Sequence, residues 1–361
     1  MKIGIAGGGQ LGWMMINQGR KLGYHFNAID RDLDYPGLRD ADRGFRYDQY
    51  REFVDESDVV TYEFEHVDDR VLEYADRQGK LLPGMEPVML KRDRSKEKIF
   101  LQRNGFPVAR FFVADSIDHI AGEIGRFHKA VAKSTTGGYD GKGQYIITDG
   151  KIPPGMPEDR YVVEEFVAYD TEASVIASRD VDGRKAFHLA SKNVNSKGML
   201  LYNVAPMDDF GMREIVSSLL DRLHYVGTIG VEFFIKNGRP LVNEFSPRVH
   251  NSGHHTLLGS SISQFEQHVR AISGLPVPEP QLFVPSGILN IIGREIDHDM
   301  MSRILAVQGT QVYWYGKAGI RPRRKVGHVN VVSGTAEGVE EKIRSLMEIL
   351  YGERLEDFLI Y

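Results

Sequence analysis

The sequence predicts a multidomain protein that opens as an α/β unit with a parallel sheet and continues as α+β. Three observations predict it. The apolar segment Lys2–Ala6 runs into a glycine turn and then a helical pattern, which is the start of a βαβ unit. Two apolar runs flank Asn237-Gly238, the strongest short signal for an antiparallel hairpin. Prolines between Leu82 and Pro87, and again from Pro276 to Pro285, divide the chain. A length of 361 residues suits ~2–3 domains.

The elements follow in order. Lys2–Ala6 is a buried strand, and a helix with apolar positions Leu11, Met14, Met15 and Leu22 comes after the Gly7–Gly12 turn. His25–Asp30 and Asp58–Thr61 read as further strands, and Arg70–Arg77 as a helix. Asp93–Asn104 is helical, stopped by Gly105 and Pro107. Short strands and helices mix from Phe111 to Tyr225. The hairpin Gly230–Ile235 and Leu241–Phe245 comes next, then a helix over Ile262–Ile272. Beyond the second set of prolines lie strands Ile288–Ile292, Gln311–Tyr315 and His328–Val332 and a helix over Val339–Leu350.

Composition narrows the function. Hydrophobic residues are 42% and charged residues 26%, as in soluble globular proteins. The balance of 45 basic against 50 acidic residues argues against a nucleic-acid partner. The absence of cysteine excludes disulfides, thiolate metal sites and a cysteine nucleophile. No apolar run nears the ~18 residues of a membrane span, and MKIGIAGGG lacks a signal-like apolar core. A cytoplasmic protein with neither nucleic acid nor membrane as partner is expected.

Six segments carry candidate chemistry. Gly7-Gly8-Gly9-Gln10-Leu11-Gly12 fits G-x-G-x-x-G, and Asp30 lies 18 residues after Gly12, near the spacing of a ribose-binding acid. That turn suits a dinucleotide or any anion at a helix N-terminus, with Gln10 as a spare amide. The loop KSTTGGYDGKGQ, 133–144, is not a Walker A loop, because glycine follows Lys142 and no helix comes after it. Its backbone N–H groups and Lys133 can still hold phosphates; a flexible hairpin tip is the alternative.

Glu232 and Glu244 sit among apolar neighbours on the two hairpin strands, which is costly unless something positive pairs with them. A hard cation bridging phosphates is the natural partner. A strict two-residue loop pairs Glu232 with Asn243 and puts the two acids on opposite faces. A longer odd-numbered loop, or a bulge between Ile235 and Leu241, is therefore expected. The segment Arg248-Val249-His250-Asn251-Ser252-Gly253-His254-His255 reads as the floor of a small-anion pocket, since H-x3-H-H is not a zinc spacing. Glu164-Glu165-Phe166-Val167 ends a strand, with Glu172 beyond it. Lys317, Arg321, Arg323, Arg324 and Lys325 form a basic cluster that is either a solvated face or an anion site.

Together the segments GGGQLGWM (7–14), TYEFEHV (61–67), DRSKEK (93–98), TGGYDGKGQ (136–144), NEFSPRVHNSGHHT (243–256), SISQFEQHVRAI (261–272) and YGKAGIRPRRKVGHVN (315–330) resemble one family. It is the 5-(carboxyamino)imidazole ribonucleotide synthetases (PurK) of purine biosynthesis, in the ATP-grasp superfamily, and the resemblance spans nearly the whole chain. It implies a Rossmann-like preATP-grasp domain (1–92), an ATP-grasp domain (93–278) and a small C-terminal domain (279–361). It implies a ligase that uses ATP, Mg2+ (or Mn2+) and bicarbonate to carboxylate the exocyclic amine of 5-aminoimidazole ribonucleotide through carboxyphosphate. A homodimer is also implied.

By resemblance, Arg94, Lys133, Gly138, Tyr139, Asp140, Gly141, Lys142, Gly143 and Gln144 match ATP-binding positions. So do Glu164, Glu165, Phe166 and Val167 at the adenine strand, Glu172 at the ribose, and Asn195, Asn243 and Glu244. Asn195 stands where relatives carry a nucleotide-contacting histidine, and Thr136 where bacterial relatives often carry arginine. Glu232 and Glu244 match the metal ligands. Gln10, Glu63, Tyr139, Arg248, His250, Asn251, Lys317 and Arg324 match positions that meet the ribonucleotide or bicarbonate. Arg248 is expected to hold bicarbonate by two parallel hydrogen bonds, and His250 to carry a proton because its usual pKa suits neutral pH. Tyr139 joins them as a catalytic candidate. The resemblance assigns the first glycine turn to the ribonucleotide rather than a dinucleotide. Three other readings remain. Another ATP-grasp carboxylate–amine ligase would share the nucleotide half. A nicotinamide oxidoreductase would leave Glu232 and Glu244 idle, and a non-catalytic nucleotide binder would not need them.

Overall fold

The computed structural model describes residues 1–138 and 142–358. Tyr139, Asp140 and Gly141, three of the candidate site residues, lie outside the described residues. The chain first builds a four-stranded parallel sheet in the order Arg43–Arg46, His25–Asp30, Lys2–Ala6, Val59–Tyr62. Ile3, Ile5 and Ala6 on its central strand are fully buried, as a sheet covered on both faces requires. The helix Gln10–Arg20 packs Leu11, Met14 and Met15 against it. Leu22, expected on that helix, lies just past its end.

A second sheet is antiparallel: Phe111–Ala114, Tyr161–Glu165, Lys129–Ser134, Gln144–Thr148. The third holds nine strands, also antiparallel, with the hairpin Gly227–Lys236/Arg239–Ser246 at one edge and Thr310–Trp314 at the other. It runs without a break from the central region into the C-terminal one, because Met199–Ala205 pairs with Ser286–Ile292, Tyr202 opposite Leu289. Met212–Arg222 covers one part of this sheet through Leu219 and Leu220. Ala336–Leu350 covers the other through Val339, Ile343 and Leu346.

The helix Gln264–Ile272 joins the first and third sheets. Ser263 caps it, its hydroxyl accepting from Glu266 N–H at 3.2 Å, so it begins two residues after the expected Ile262. Its polar residues are structural. His268 Nδ1 accepts the N–H of Thr228 at 3.0 Å, and Nε2 lies 2.9 Å from the Thr61 hydroxyl on the parallel sheet. Glu266 pairs with Lys21 at 2.5 Å. These ties hold the N-terminal sheet at one side of the cleft described below. No helix among the described residues is long and apolar enough to cross a membrane.

Candidate active site

The three sheets and the C-terminal segment surround one cleft of about 1430 Å³. Every described residue chosen from the sequence lines it except Gly143. Gly143 instead shapes the loop: its φ of 71° needs glycine, and its carbonyl accepts Ser134 N–H at 2.9 Å.

The nucleotide half rests on buried ion pairs. Lys133, on Lys129–Ser134, reaches Glu164 Oε1 at 2.8 Å and Asn243 Oδ1 at 3.3 Å. Lys98 takes the other oxygen of Glu164 at 2.9 Å. Glu164 is 3% exposed, and its two ammonium partners hold its carboxyl down to about 2 against the opposing effect of burial. The side chain of Glu164 therefore serves Lys133 rather than a purine. Glu165 is likewise spent on Arg110, by a two-pronged pair at 2.8 and 2.6 Å. The peptide N–H groups of Glu165 and Phe166 go to the carbonyls of Arg110 and Lys129. The backbone of Val167 then follows on the cleft wall.

Arg94 donates to the carbonyls of Ser134 and Gly138, at 2.7 and 2.6 Å, so it ties down the start of the glycine loop. A Cβ at Gly138 would come within 2.5 Å of that guanidinium. Glu172 is bonded to both the Tyr169 hydroxyl and the Asn195 amide. Asn195 thus supports the acid assigned to ribose. Tyr169 stacks on Phe234 with ring centres 4.7 Å apart.

Glu232 and Glu244 are paired directly across the hairpin. The turn is a tight two-residue one, Asn237 and Gly238 both having positive φ, 50° and 68°. The extra residue is Asn243, at a bulge between Val242 and Glu244, and not within 235–241 as expected. The correction has a physical reason: Asn-Gly satisfies the tight turn, so the register is adjusted further along the strand. A bulge also lets consecutive residues share a face, and Asn243 and Glu244 both line the cleft. Burial and the facing charge of Glu244 push Glu232 up to about 8. Glu244 is held well below the usual carboxylate range by Lys91, whose Nζ is 2.7 Å away. Two hard oxygen donors whose mutual repulsion a cation would relieve are a fitting pair for Mg2+. Among the described residues no third His, Asp or Glu completes a metal cluster, so further ligands would come from phosphate oxygens.

On the substrate side, Arg248 Nε lies 3.0 Å from Glu65 Oε1, and its Nη1 donates to the Val249 carbonyl at 3.0 Å. His250 Nδ1 faces the N–H and hydroxyl of Ser252 at 3.3 and 2.8 Å, while Nε2 lies 3.4 Å from Glu232. Burial, then Arg248, lowers His250 to about 3. The lowered value favours the neutral imidazole, whose Nε2 faces Glu232. Asn251 exchanges two hydrogen bonds with Asn290, at 3.1 and 2.8 Å, which fix its amide on the cleft wall.

The first glycine turn is already filled from within. Glu63 accepts the N–H groups of Gly9 and Gly12, and Asp30 that of Gly8 at 2.8 Å. Carboxylates occupy the donors a dinucleotide phosphate would need, which counts against the dinucleotide reading. The same geometry ties both oxygens of Glu63 to the turn, which fixes its carboxylate at the cleft wall. Gln10 opens the helix there and faces the cleft. Opposite stands the basic cluster. Lys317 donates to the Lys325 carbonyl at 3.0 Å, and Arg324 to the carbonyls of Ala318 and Gly319. Arg39 bridges the two walls by donating to Gly316 at 2.8 Å.

Comparison with known proteins identifies the whole chain. Residues 1–91 match a ribonucleotide synthetase preATP-grasp domain, 99–265 an ATP-grasp domain, and 286–342 a phosphoribosylaminoimidazole carboxylase C-terminal domain. The N5-carboxyaminoimidazole ribonucleotide synthase of Saccharolobus solfataricus is 45% identical over 98% of this chain and 97% of its own. The chain belongs to the N5-carboxyaminoimidazole ribonucleotide synthase family. Among solved family structures, the phosphoribosylaminoimidazole carboxylase ATPase subunit of Aquifex aeolicus superposes with a TM-score of 0.85 at 41% identity, covering 97% of this chain and 100% of its own. An Aspergillus clavatus N5-carboxyaminoimidazole synthase in complex with ADP and 5-aminoimidazole ribonucleotide superposes with a TM-score of 0.88 at 25% identity, covering 97% and 98%.

Three residues of this family member escape a sequence reading: Lys91 and Glu65, which line the cleft, and Lys98, which pairs with Glu164. Lys91 ends one helix and Lys98 lies within DRSKEK, where charge normally signals a solvated face. Both are buried against acids from distant strands, and only the fold brings those together. Glu65 sits two residues from Glu63 in TYEFEHV; the available signal was that second acid.

Proposed function

We propose that this chain carboxylates the exocyclic amine of 5-aminoimidazole ribonucleotide with bicarbonate at the expense of ATP. The observation that carries this reading is the layout of the cleft. The ion-paired residues Lys133 and Glu164, the acids Glu232 and Glu244, Arg248, and the basic residues Lys317 and Arg324 all line one cleft. The solved relative named with ADP and 5-aminoimidazole ribonucleotide supports the same pair of ligands here.

Adenine would lie between Val131, Ile146 and Phe166 from one sheet and Leu200 and Phe234 from the other. Glu172 would take the ribose, and Lys133 and the glycine loop the phosphates. Glu232 and Glu244 would hold Mg2+, or Mn2+, which when bound neutralises phosphate charge. Lys317 and Arg324 would hold the 5′-phosphate of the ribonucleotide, beside Gln10 and the turn that Glu63 shapes. Arg248 would hold bicarbonate, whose oxygen attacks the γ-phosphorus as the bond to ADP breaks. The amine nitrogen then attacks the carboxyl carbon of carboxyphosphate, or the carbon dioxide it releases. Phosphate departs and the amine loses a proton. Closure of the cleft against water keeps the short-lived species from hydrolysis. The family resemblance further supports a homodimer acting in the cytoplasm.

The test is to measure ADP release and carboxylated ribonucleotide with each substrate omitted in turn. Release that depends on both bicarbonate and the ribonucleotide is expected. Release that ignores bicarbonate would instead assign a different carboxylate–amine ligase.

A further inference from the structure

Arg248 is the group to which the proposed function gives bicarbonate, and its own position is set by a residue on another domain. Glu65 follows the strand Val59–Tyr62 of the N-terminal sheet, while Arg248 follows the hairpin strand Arg239–Ser246. Their side chains meet at 3.0 Å, with the Glu65 side chain 10% exposed and that of Arg248 17%. Neither is a surface pair that solvent would screen to insignificance.

The Glu65 end is anchored. Arg92 donates from Nε to the Glu65 carbonyl at 2.6 Å and from Nη2 to the Val67 carbonyl at 2.8 Å. It therefore holds the loop backbone on both sides of His66. The Arg248 end is anchored too, by the bond from Nη1 to its neighbour's carbonyl. A guanidinium has five N–H groups in a fixed plane. Nε lies 3.0 Å from the Glu65 carboxylate as an ion contact without hydrogen-bond alignment, and one Nη1 hydrogen is spent on Val249, which leaves the second Nη1 hydrogen and both on Nη2. Those form the end of the fork, and a planar anion can meet them only end-on.

We infer that Glu65 is a positioning residue: its carboxylate, ion-paired with the largely buried guanidinium of Arg248, holds that group so that the terminal nitrogens are presented end-on to bicarbonate. The strut has a further consequence. The N-terminal sheet supplies Gln10 and the Glu63-shaped turn to the ribonucleotide wall. Because Glu65 follows a strand of that same sheet, the wall that meets the amine and the arginine that meets its carbon source are held in register across the domain boundary. Misplacement of a reacting group by about an ångström can cost on the order of a hundredfold in rate.

This inference rests on the reading of Arg248 as the bicarbonate holder, and the experiment separates the two. Glu65→Leu, Glu65→Gln, Arg248→Ala and the Glu65→Leu/Arg248→Ala double variant are assayed for ADP and carboxylated ribonucleotide in one tube, with KM for each substrate and a thermal melt. Glu65→Leu should raise the bicarbonate KM roughly tenfold or more and lower the product-to-ADP ratio, with the ATP KM nearly unchanged. Glu65→Gln keeps an acceptor and should fall between Leu and the parent. It carries the test with the same readouts if the leucine variant does not fold. The double variant should be no worse than Arg248→Ala, since the two residues act as one unit. Additive losses, or tight coupling in both Glu65 variants while Arg248→Ala is uncoupled, would overturn the positioning role alone. Tight coupling in Arg248→Ala would remove the bicarbonate reading itself.

Discussion

Glu232 and Glu244 face each other across a hairpin whose second strand carries one extra residue, Asn243. The bulge turns two consecutive side chains to the cleft. Asn243 reaches Lys133, and Glu244 reaches Lys91. One irregularity in one strand therefore brings two largely buried lysines from different elements to adjacent side chains.

Glu244→Gln keeps the size and removes the charge. A hard cation held between two carboxylates and phosphate loses an anionic ligand. Lys91 also loses its nearest partner and keeps only Glu97, at 3.5 Å. ATP cleavage should collapse at every bicarbonate concentration, and the midpoint for Mn2+ binding, read by titration without turnover, should rise. A loss of activity that high bicarbonate restores would place Glu244 with the wrong substrate.

Glu164 separates stability from binding. Its carboxylate lies between Lys98 and Lys133, all three nearly out of solvent. Removing the charge from a buried pair leaves uncompensated ammonium groups, which costs about 3–5 kcal/mol. Glu164→Gln should lower the melting temperature and raise the ATP KM together, because Lys133 is no longer held toward the cleft. A melt unchanged from the parent would mean that the pair is open to water.

Much of the fold was legible because its signals are local. Lys2–Ala6 and His25–Asp30 have the expected limits, and the hairpin was marked by Asn-Gly. The antiparallel strand Thr171–Arg179 and the helix Met212–Arg222 were not resolved from their neighbours. The strand is buried along most of its length, so it lacks the alternation that marks a half-exposed one. At the site, residue types and motif order were enough to choose groups that share one cleft. Partners were not, because Glu65–Arg248 and Lys91–Glu244 each join segments more than 150 residues apart. Nor could the sequence show that His250 is buried, which lowers its pKa.

Arg324 tests the basic cluster. Its guanidinium stabilises the Ala318–Gly319 turn and lines the cleft beside Lys317. A charge-assisted contact to phosphate is worth roughly 1.5–3 kcal/mol. Arg324→Ala should raise the ribonucleotide KM about tenfold or more, while the ATP KM moves far less. Equal losses for both substrates would show that the arginine only braces the turn.

His188 gives a prediction about acid stability, away from the cleft. It is 5% exposed, and neither ring nitrogen has a hydrogen-bond partner. Burial holds it down to about 3, and the nearby His255 adds to the effect. His255, His268 and His328 are also buried and lowered, to about 4, 4 and 3. In the unfolded chain each takes up a proton near its ordinary value of about 6.5. Below that pH the unfolded state binds more protons than the folded one, so stability falls as the medium is acidified. The loss begins near pH 6.5 and continues until the folded groups protonate, near pH 4 to 3. Each histidine contributes at most about 1.4 kcal/mol per pH unit. His188→Leu removes one of these groups together with two unsatisfied buried atoms, whose desolvation costs about 1–3 kcal/mol. The variant should match or exceed the parent in urea midpoint at pH 7.5. Its advantage should widen at pH 6, 5.5 and 5, whereas carboxylate effects, common to both proteins, cancel in the comparison. Midpoints that stay parallel across this range would mean that His188 meets water in solution and titrates as it does in the unfolded chain.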